Sequence, residues 1–326
     1  MAPVTPRHGD GRHESAGLLV TGAGGFVGGR VVRHAGRLPD GGPPLRVLAH
    51  RRALPGAPGA VEVVAGDLGD PGSLRGLCAG VGTVVHCASL VGGTEEECEA
   101  VNVRGTEALV EEARRAGVSR VVYLSTASVY GRGTFREARP EDLVRNPGSP
   151  TSRTRAAAED LVLAAGGTVL RPHIVYGTGD RWVGPGLLAL VRAIGGGIRG
   201  RPALVSAVDV DDLARLVLGA ALAPGDRLTA SVYHANHPRP ATADALLRGF
   251  AGAAGLPLAE GVATYERAAE RLRALGRSTN PLDMMATDHW FASDRIWSDL
   301  GLAAGAGFEE GLARHAGWYR STLRSK

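Results

Sequence analysis

From Leu18 to about Gly177, short apolar runs alternate with longer stretches whose apolar positions recur at helical spacing. Leu18–Thr21, Arg46–His50, Val61–Ala65, Thr83–Cys87, Arg120–Ser125 and Thr168–Arg171 predict strands. Strands covered on both faces read as unbroken aliphatic blocks, and these do. The intervening stretches predict helices, from the glycine turn after Thr21 to Arg37, then Asp70–Ala79, Glu95–Ala116 and Thr151–Ala165. Such alternation implies an α/β doubly wound parallel sheet with helices on both faces. Beyond Gly177 the pattern loosens into Gly- and Pro-rich loops around three helices, Gly186–Ala193, Val210–Leu222 and Ala243–Ala254, and one strand, Val232–Ala235. Residues 16–177 are therefore expected to form a nucleotide-binding domain, and 178–326 a smaller C-terminal substrate-binding lobe partly interwoven with it. Residues 1–15 are polar, with no apolar core, and are expected to be a disordered tail rather than a leader or anchor.

Composition narrows the function. The chain has 326 residues, 44% hydrophobic and 21% charged, the balance of an ordinary globular protein. Its net charge of +4 comes from scattered arginines, with Lys326 the only lysine. No basic run is interleaved with aromatics, so no nucleic-acid partner is expected. No segment is apolar for long enough to span a bilayer. Cys78, Cys87 and Cys98 lack metal or disulfide spacing and predict reduced thiols in a cytoplasmic protein. His234 and His237 are three apart, but no cysteine or carboxylate joins them, so no metal is expected. Asp209, Asp211 and Asp212 read as the start of a helix.

The chemistry begins at Thr21-Gly22-Ala-Gly-Gly25-Phe26-Val27-Gly28, between the first strand and its helix. Glycines at Gly22, Gly25 and Gly28 permit a tight turn and let a pyrophosphate approach the positive helix end. An acid at the end of the second strand would bind an unmodified ribose, but here the strand runs into His50-Arg51-Arg52. Two guanidiniums suit a 2′-phosphate, which favours NADP(H). Asp67-Leu68 follows the third strand, where Asp67 can accept from an adenine amine.

These motifs continue through His86-Cys87-Ala88-Ser89, Asn102-Val-Arg-Gly-Thr106, Tyr123-Leu-Ser125-Thr126-Ala-Ser128-Val-Tyr-Gly131, Arg171-Pro172-His173-Ile174-Val-Tyr-Gly177 and Val208-Asp-Val-Asp-Asp212. In that order they resemble the extended short-chain dehydrogenases/reductases, NAD(P)-dependent and epimerase/dehydratase-like, across nearly the whole chain. The resemblance implies a Rossmann-type fold and a pocket for a dinucleotide and a ketone or alcohol. It assigns Thr126 to the carbonyl oxygen and Cys87, Ala88, Ser89 and Ser125 to the nicotinamide side. It gives Pro172, His173 and Ile174 backbone contacts to the nicotinamide, and Asn102 a structural role. Leu90, Ser128 and Trp182 join Ser89 and Thr126 as candidate substrate contacts, and a homodimer is a further expectation.

The departure from the family is informative. Ser149-Pro-Thr-Ser-Arg-Thr-Arg155 aligns with its Pro-Tyr-x-x-x-Lys motif, placing Thr151 at the tyrosine and Arg155 at the lysine. A threonine hydroxyl is too weak an acid to replace the tyrosine, and Arg155 stays protonated, so it can bind the cofactor ribose but relay nothing. Three readings stand: a cofactor-binding regulator without turnover, a different donor (His173, Ser89 or a water held by Thr126), or a substrate that supplies its own proton. The favoured reading is an NADPH-dependent ketoreductase with Thr126, Ser89 and His173 as catalytic candidates and Thr151 at the substrate. The arginine bias and degenerate pair are similar to ketoreductases of actinomycete aromatic polyketide (angucyclinone) pathways. A nucleotide-sugar epimerase or dehydratase, and an NADP(H) sensor, are the alternatives.

Overall fold

The computed structural model describes residues 16–39, 42–50, 61–198, 203–256 and 262–323; Arg51, Arg52 and the 1–15 tail lie outside them. Seven parallel strands form the central sheet, in the spatial order Val232–His234, Thr168–Arg171, Arg120–Leu124, Val81–His86, Gly17–Thr21, Leu45–Ala49, Val61–Ala65. The first strand lies between the second and the fourth, so the order reverses there and opens a crevice at the carboxyl ends, where α/β sheets take their ligands. This is the Rossmann-type architecture that strand–helix alternation predicts.

Side-chain alternation assembles the two faces. Leu18, Val20, Val85, Val122 and Leu170 pack with Val31, Val32 and Ala35 of helix Gly28–Ala35 and with Leu213, Leu216 and Val217 of helix Val210–Leu222. Their neighbours Leu19, Val84, Val121, Tyr123 and Val169 point the other way, onto Leu109, Ala113, Ala158 and Val162. Those four lie on helices Gly105–Arg115 and Pro150–Ala164. At roughly 25 cal/mol per Å² of apolar surface, these faces dominate stability.

Two local expectations change. The predicted Asp70–Ala79 helix is only the single 3₁₀ turn Pro71–Leu74, because Asp70 accepts from the Gly72 amide and Gly76 sits at φ +77°, which ends helical propagation. The long helix after Thr94 contains a π-helical stretch, Glu99–Arg104, that turns Asn102 inward to 2% exposure. Trp297 is core as expected, whereas Trp290 is only half-buried.

Beyond Gly177 a second core gathers Leu187, Val191, Leu246, Phe250, Leu272, Leu282 and Tyr319 from helices Val183–Ile194, Ala243–Ala253, Tyr265–Ala274, Asn280–Ala286 and Phe308–Leu323. A small sheet ties it back to the nucleotide-binding half, since Phe135–Ala138 pairs in parallel with His289–Phe291. Among the described residues, no helix is long and apolar enough to cross a membrane.

Candidate functional site

A cleft of about 730 Å³ opens where the strand order reverses, walled by Gly24–Gly29, Cys87, Ser89, Ser125, Thr126, Arg155, Pro172, His173 and the Thr178–Val183 segment. Its glycine turn has no room for side chains. Gly22 sits at φ +71°, and a Cβ there would lie 2.6 Å from the Ala88 amide nitrogen. A Cβ on Gly28 would lie 2.2 Å from the Gly22 carbonyl oxygen. The turn is thus a backbone cradle opening onto a helix start, the shape that receives a pyrophosphate. Phe26 and Val27 line the same wall.

A buried relay braces the floor. The Ala88 amide donates to Thr21 Oγ1 (3.3 Å), which lies 2.7 Å from His86 Nδ1; His86 Nε2 lies 3.0 Å from Thr106 Oγ1, which donates to the Asn102 carbonyl at 2.6 Å. Because Thr106 spends its only proton on Asn102, His86 must donate from Nε2 and accept from Thr21 at Nδ1. Burial, with Arg155 nearby, lowers His86 to about 3, so it is neutral. Asn102 then clamps Leu90 from both sides, accepting from its amide at 2.7 Å and donating to its carbonyl at 3.0 Å. Cys87 faces the cleft as an inert thiol, pushed up to about 12 by burial.

At the reacting end, Thr126 Oγ1 accepts from the Ser128 amide and donates to Ser128 Oγ, both at 3.1 Å. Ser128 is exposed and stands outside the cleft lining. Arg155 reaches in from helix Pro150–Ala164, one nitrogen fixed to the Leu124 carbonyl and its Nε buried without a partner. Ser125 Oγ is also buried and unpartnered. Orphaned polar atoms facing a cleft are costly unless a ligand completes them. With the glycine cradle, they show that these residues fit a dinucleotide.

Like Ser128, and like Leu90, which Asn102 clamps outside the cleft lining, further candidates are placed differently from expectation. Thr151 does not line the cleft: its Oγ1 accepts from the Gly92 amide at 3.1 Å and serves as a pin for the Leu90–Gly93 loop. The His173 imidazole turns inward, stacked on His289 at 5.7 Å and edge-on to Phe291. Burial, reinforced by His289 and His234, lowers His173 to about 3, so it carries no proton to give as an acid near neutrality; its Pro172-His173 backbone still lines the cleft. Asp67 is already engaged, its Oδ2 lying 2.8 Å from His50 Nε2 and its Oδ1 accepting from the Gly69 amide. Leu68 is buried beneath it against Gly105, and Ile174 is buried in the strand Ile174–Tyr176. Trp182 stands 65% exposed at the cleft mouth.

Sequence reasoning missed a strap over the cleft, residues Gly177–Asp180. Tyr319 Oη accepts from the Gly177 amide at 2.8 Å and donates to Asp180 Oδ2 at 3.0 Å. Asp180 also accepts from the amides of Trp182, Val183 and Gly184 and so caps the next helix. His315 accepts from the Thr178 amide at Nδ1 and donates from Nε2 to Asp209. Arg30 bonds the Thr178 carbonyl at 2.9 Å and pairs with Asp211 at 3.2 Å. Asp209, Asp211 and His315 lie close enough for a metal, but every one of these donors is spent inside the strap and helix cap. His234 and His237 do not converge either; the first bonds Tyr130 and the second the backbone at Arg239 and Gly305.

Comparison with known proteins agrees with this geometry. The profile of the NAD dependent epimerase/dehydratase family matches residues 18–233. The 2-alkyl-3-oxoalkanoate reductase of Stenotrophomonas maltophilia is 30% identical over 91% of this chain and 97% of its own. A 3 beta-hydroxysteroid dehydrogenase/Delta 5→4-isomerase of Mycobacterium tuberculosis is 33% identical over about half of each chain, 50% of this one and 48% of its own. Among solved structures, MoeE5 in complex with UDP-glucose and NAD superposes with a TM-score of 0.67 at 27% identity, covering 94% of this chain and 99% of that one. With its glycine cradle at the sheet's switch point and relatives of this kind, the chain belongs to the NAD-dependent epimerase/dehydratase family and is an oxidoreductase.

Proposed function

We propose that the protein is an NADPH-dependent ketoreductase that reduces a bulky ketone to the secondary alcohol without a tyrosine acid. The observation that carries this reading is the floor of the cleft. Ser125 Oγ and the Nε of Arg155 are left unpartnered beside Thr126, while the family's tyrosine position holds a threonine whose hydroxyl is committed to Gly92. The nicotinamide, when bound, supplies the hydride. Thr126 and Ser89 orient the carbonyl, and Arg155 adds a fixed positive charge near the oxygen as it gains electron density. The oxygen's proton comes from a hydroxyl on the substrate or from water. An aromatic polyketide with a phenol beside its ketone would suit such assistance, and the Stenotrophomonas relative, a 2-alkyl-3-oxoalkanoate reductase, is by its name a reductase of an oxo compound too.

Epimerases and dehydratases of nucleotide sugars must first oxidise their substrate, which needs a base where Thr151 stands. For that reason the reductase is preferred to the sugar reading that the MoeE5 likeness suggests. NADPH is preferred because the second strand ends in His50-Arg51-Arg52 with no acid. Among the described residues Cys78, Cys87 and Cys98 are free thiols, in keeping with a cytoplasmic enzyme, and a homodimer is part of the same reading.

The test follows NADPH absorbance with a panel of bulky ketones and identifies the alcohol formed. NADPH consumption matched one-to-one by alcohol is the expected outcome. Tight NADPH binding with no turnover on any ketone would replace the enzyme with a cofactor sensor.

A further inference from the structure

Behind the reacting end lies a second buried polar network, which no step of the reduction uses. Arg171 and Glu159, both buried, form a bidentate ion pair at 2.9 and 2.6 Å. The remaining Arg171 nitrogen donates to Tyr130 Oη at 2.7 Å. An arginine can only donate, so the Tyr130 proton goes to His234 Nε2, 2.7 Å away. Burial pushes Tyr130 up to about 12, so the phenol keeps that proton. Burial and the Arg171 charge lower His234 to about 3, so its imidazole stays a neutral acceptor. Arg145 closes the outer side, 3.3 Å from Glu159 and 2.7 Å from Asp160.

Each member stands a short step from one wall of the cleft. Glu159 is one helical turn beyond Arg155 on helix Pro150–Ala164. Tyr130 ends the turn Ala127–Tyr130 that Thr126 caps. Arg171 ends its strand and directly precedes Pro172 and His173. Arg155, Thr126, Pro172 and His173 all line the cleft. The Ala127 amide donates to the Pro172 carbonyl at 2.8 Å, which sets the distance from turn to strand end. Tyr130, further along the turn, adds the second point that fixes their angle. Burying two charges costs about as much as their attraction returns, so such a pair serves geometry better than stability.

We infer that Tyr130 is a positioning residue, whose hydroxyl locks the Thr126 turn to the Arg171–His173 strand end and, through Arg171 and Glu159, to the helix carrying Arg155. Its catalytic consequence rests on the ketoreductase reading: hydride transfer needs the carbonyl and the nicotinamide held at one spacing, and this chain has no tyrosine acid to share that task.

Tyr130→Phe removes the hydroxyl and keeps the ring, which stacks on Phe291 at 5.6 Å and lies under the Arg171 guanidinium. Tyr233→Phe is the control. That buried hydroxyl also joins two partners, accepting from the Ala230 amide at 2.7 Å and donating to Asp299 at 2.6 Å, but outside the cleft lining. Both variants should melt a few degrees below the parent. With NADPH alone, Tyr130→Phe should shorten the fluorescence lifetime of the bound dihydronicotinamide. Its NADPH dissociation constant should stay within about twofold, because the glycine cradle is untouched. With saturating NADPH and 2-acetyl-1-naphthol as the probe ketone, its kcat should fall about tenfold at nearly constant KM. His234→Leu, which removes the acceptor, should shift lifetime and kcat in the same direction. Tyr233→Phe should match the parent in both. Parental lifetime and kcat in Tyr130→Phe would overturn the inference, and so would equal losses in Tyr130→Phe and Tyr233→Phe, since the hydroxyl would then serve stability alone. If the parent reduces neither the probe nor any other ketone, yet the lifetime shortens in Tyr130→Phe and not in Tyr233→Phe, the ketoreductase reading falls while Tyr130 still positions the nicotinamide.

Discussion

Thr151, where the family resemblance implies a catalytic tyrosine, has a structural task. Its hydroxyl accepts from Gly92, an amide in a loop whose Gly92 and Gly93 both have φ near +80 to +93°, so the pin steadies backbone that few other residues could adopt. Thr151→Val should cost about 1 kcal/mol of stability, the usual value of one such bond, and lower the melting temperature by a few degrees. The chemical step should persist; loss of turnover with binding intact would make Thr151 the donor after all. At the cofactor's other end, Arg51→Ala combined with Arg52→Ala should weaken NADPH far more than NADH, by about tenfold or more, measured by fluorescence titration. Equal losses would remove the preference for NADPH. Residues whose placement is set by near neighbours were legible in the chain: Gly22, Gly25 and Gly28 by their spacing, and Arg155 at the cleft by its offset from Thr151. The inward turn of His173 was not, because it depends on His289 and Phe291, more than a hundred positions away.

Among elements, the strand–helix alternation carried the sheet and both helical layers, since periodicity reports which face is buried. It failed at Asp70–Ala79, where Pro71, Gly72 and Gly76 override an apolar spacing that Leu74 and Leu77 do satisfy. It also said nothing of the strap, which draws on Arg30, Thr178, Asp180, His315 and Tyr319 from three separate segments. Only the Asp180–Gly184 capping pattern hinted at it locally. Tyr319→Phe should test the strap as a unit. Leaving the buried Gly177 amide unpaired costs about 1–3 kcal/mol, and the loosened loop should raise the cofactor's dissociation constant several-fold. With saturating cofactor, kcat should change by less than about twofold. A change in melting temperature alone would show that the strap only stabilises the fold.

For the molecule as a whole, buried neutral histidines set an acid limit. His86, His173 and His234 are each lowered to about 3, burial being the first cause for all three. The unfolded chain takes up these protons near pH 6.5 while the native state refuses them until about pH 3, so stability holds above 6.5 and falls below it. With three such groups the loss should reach about 4 kcal/mol per pH unit. Urea titrations at pH 7, 6 and 5 measure it, and a flat profile across that interval would contradict the burial of these rings. The strap has a consequence in time as well as in space. The glycine cradle is formed by residues that leave the ribosome well before helix Phe308–Leu323, whose His315 and Tyr319 fasten the loop that closes over it. A growing chain can therefore build its phosphate turn early and yet fasten the loop over it only once that helix has emerged and docked. Nucleotide retention thereby comes to report the docking of helix Phe308–Leu323, and a cut ahead of that helix that lets it leave would erase it.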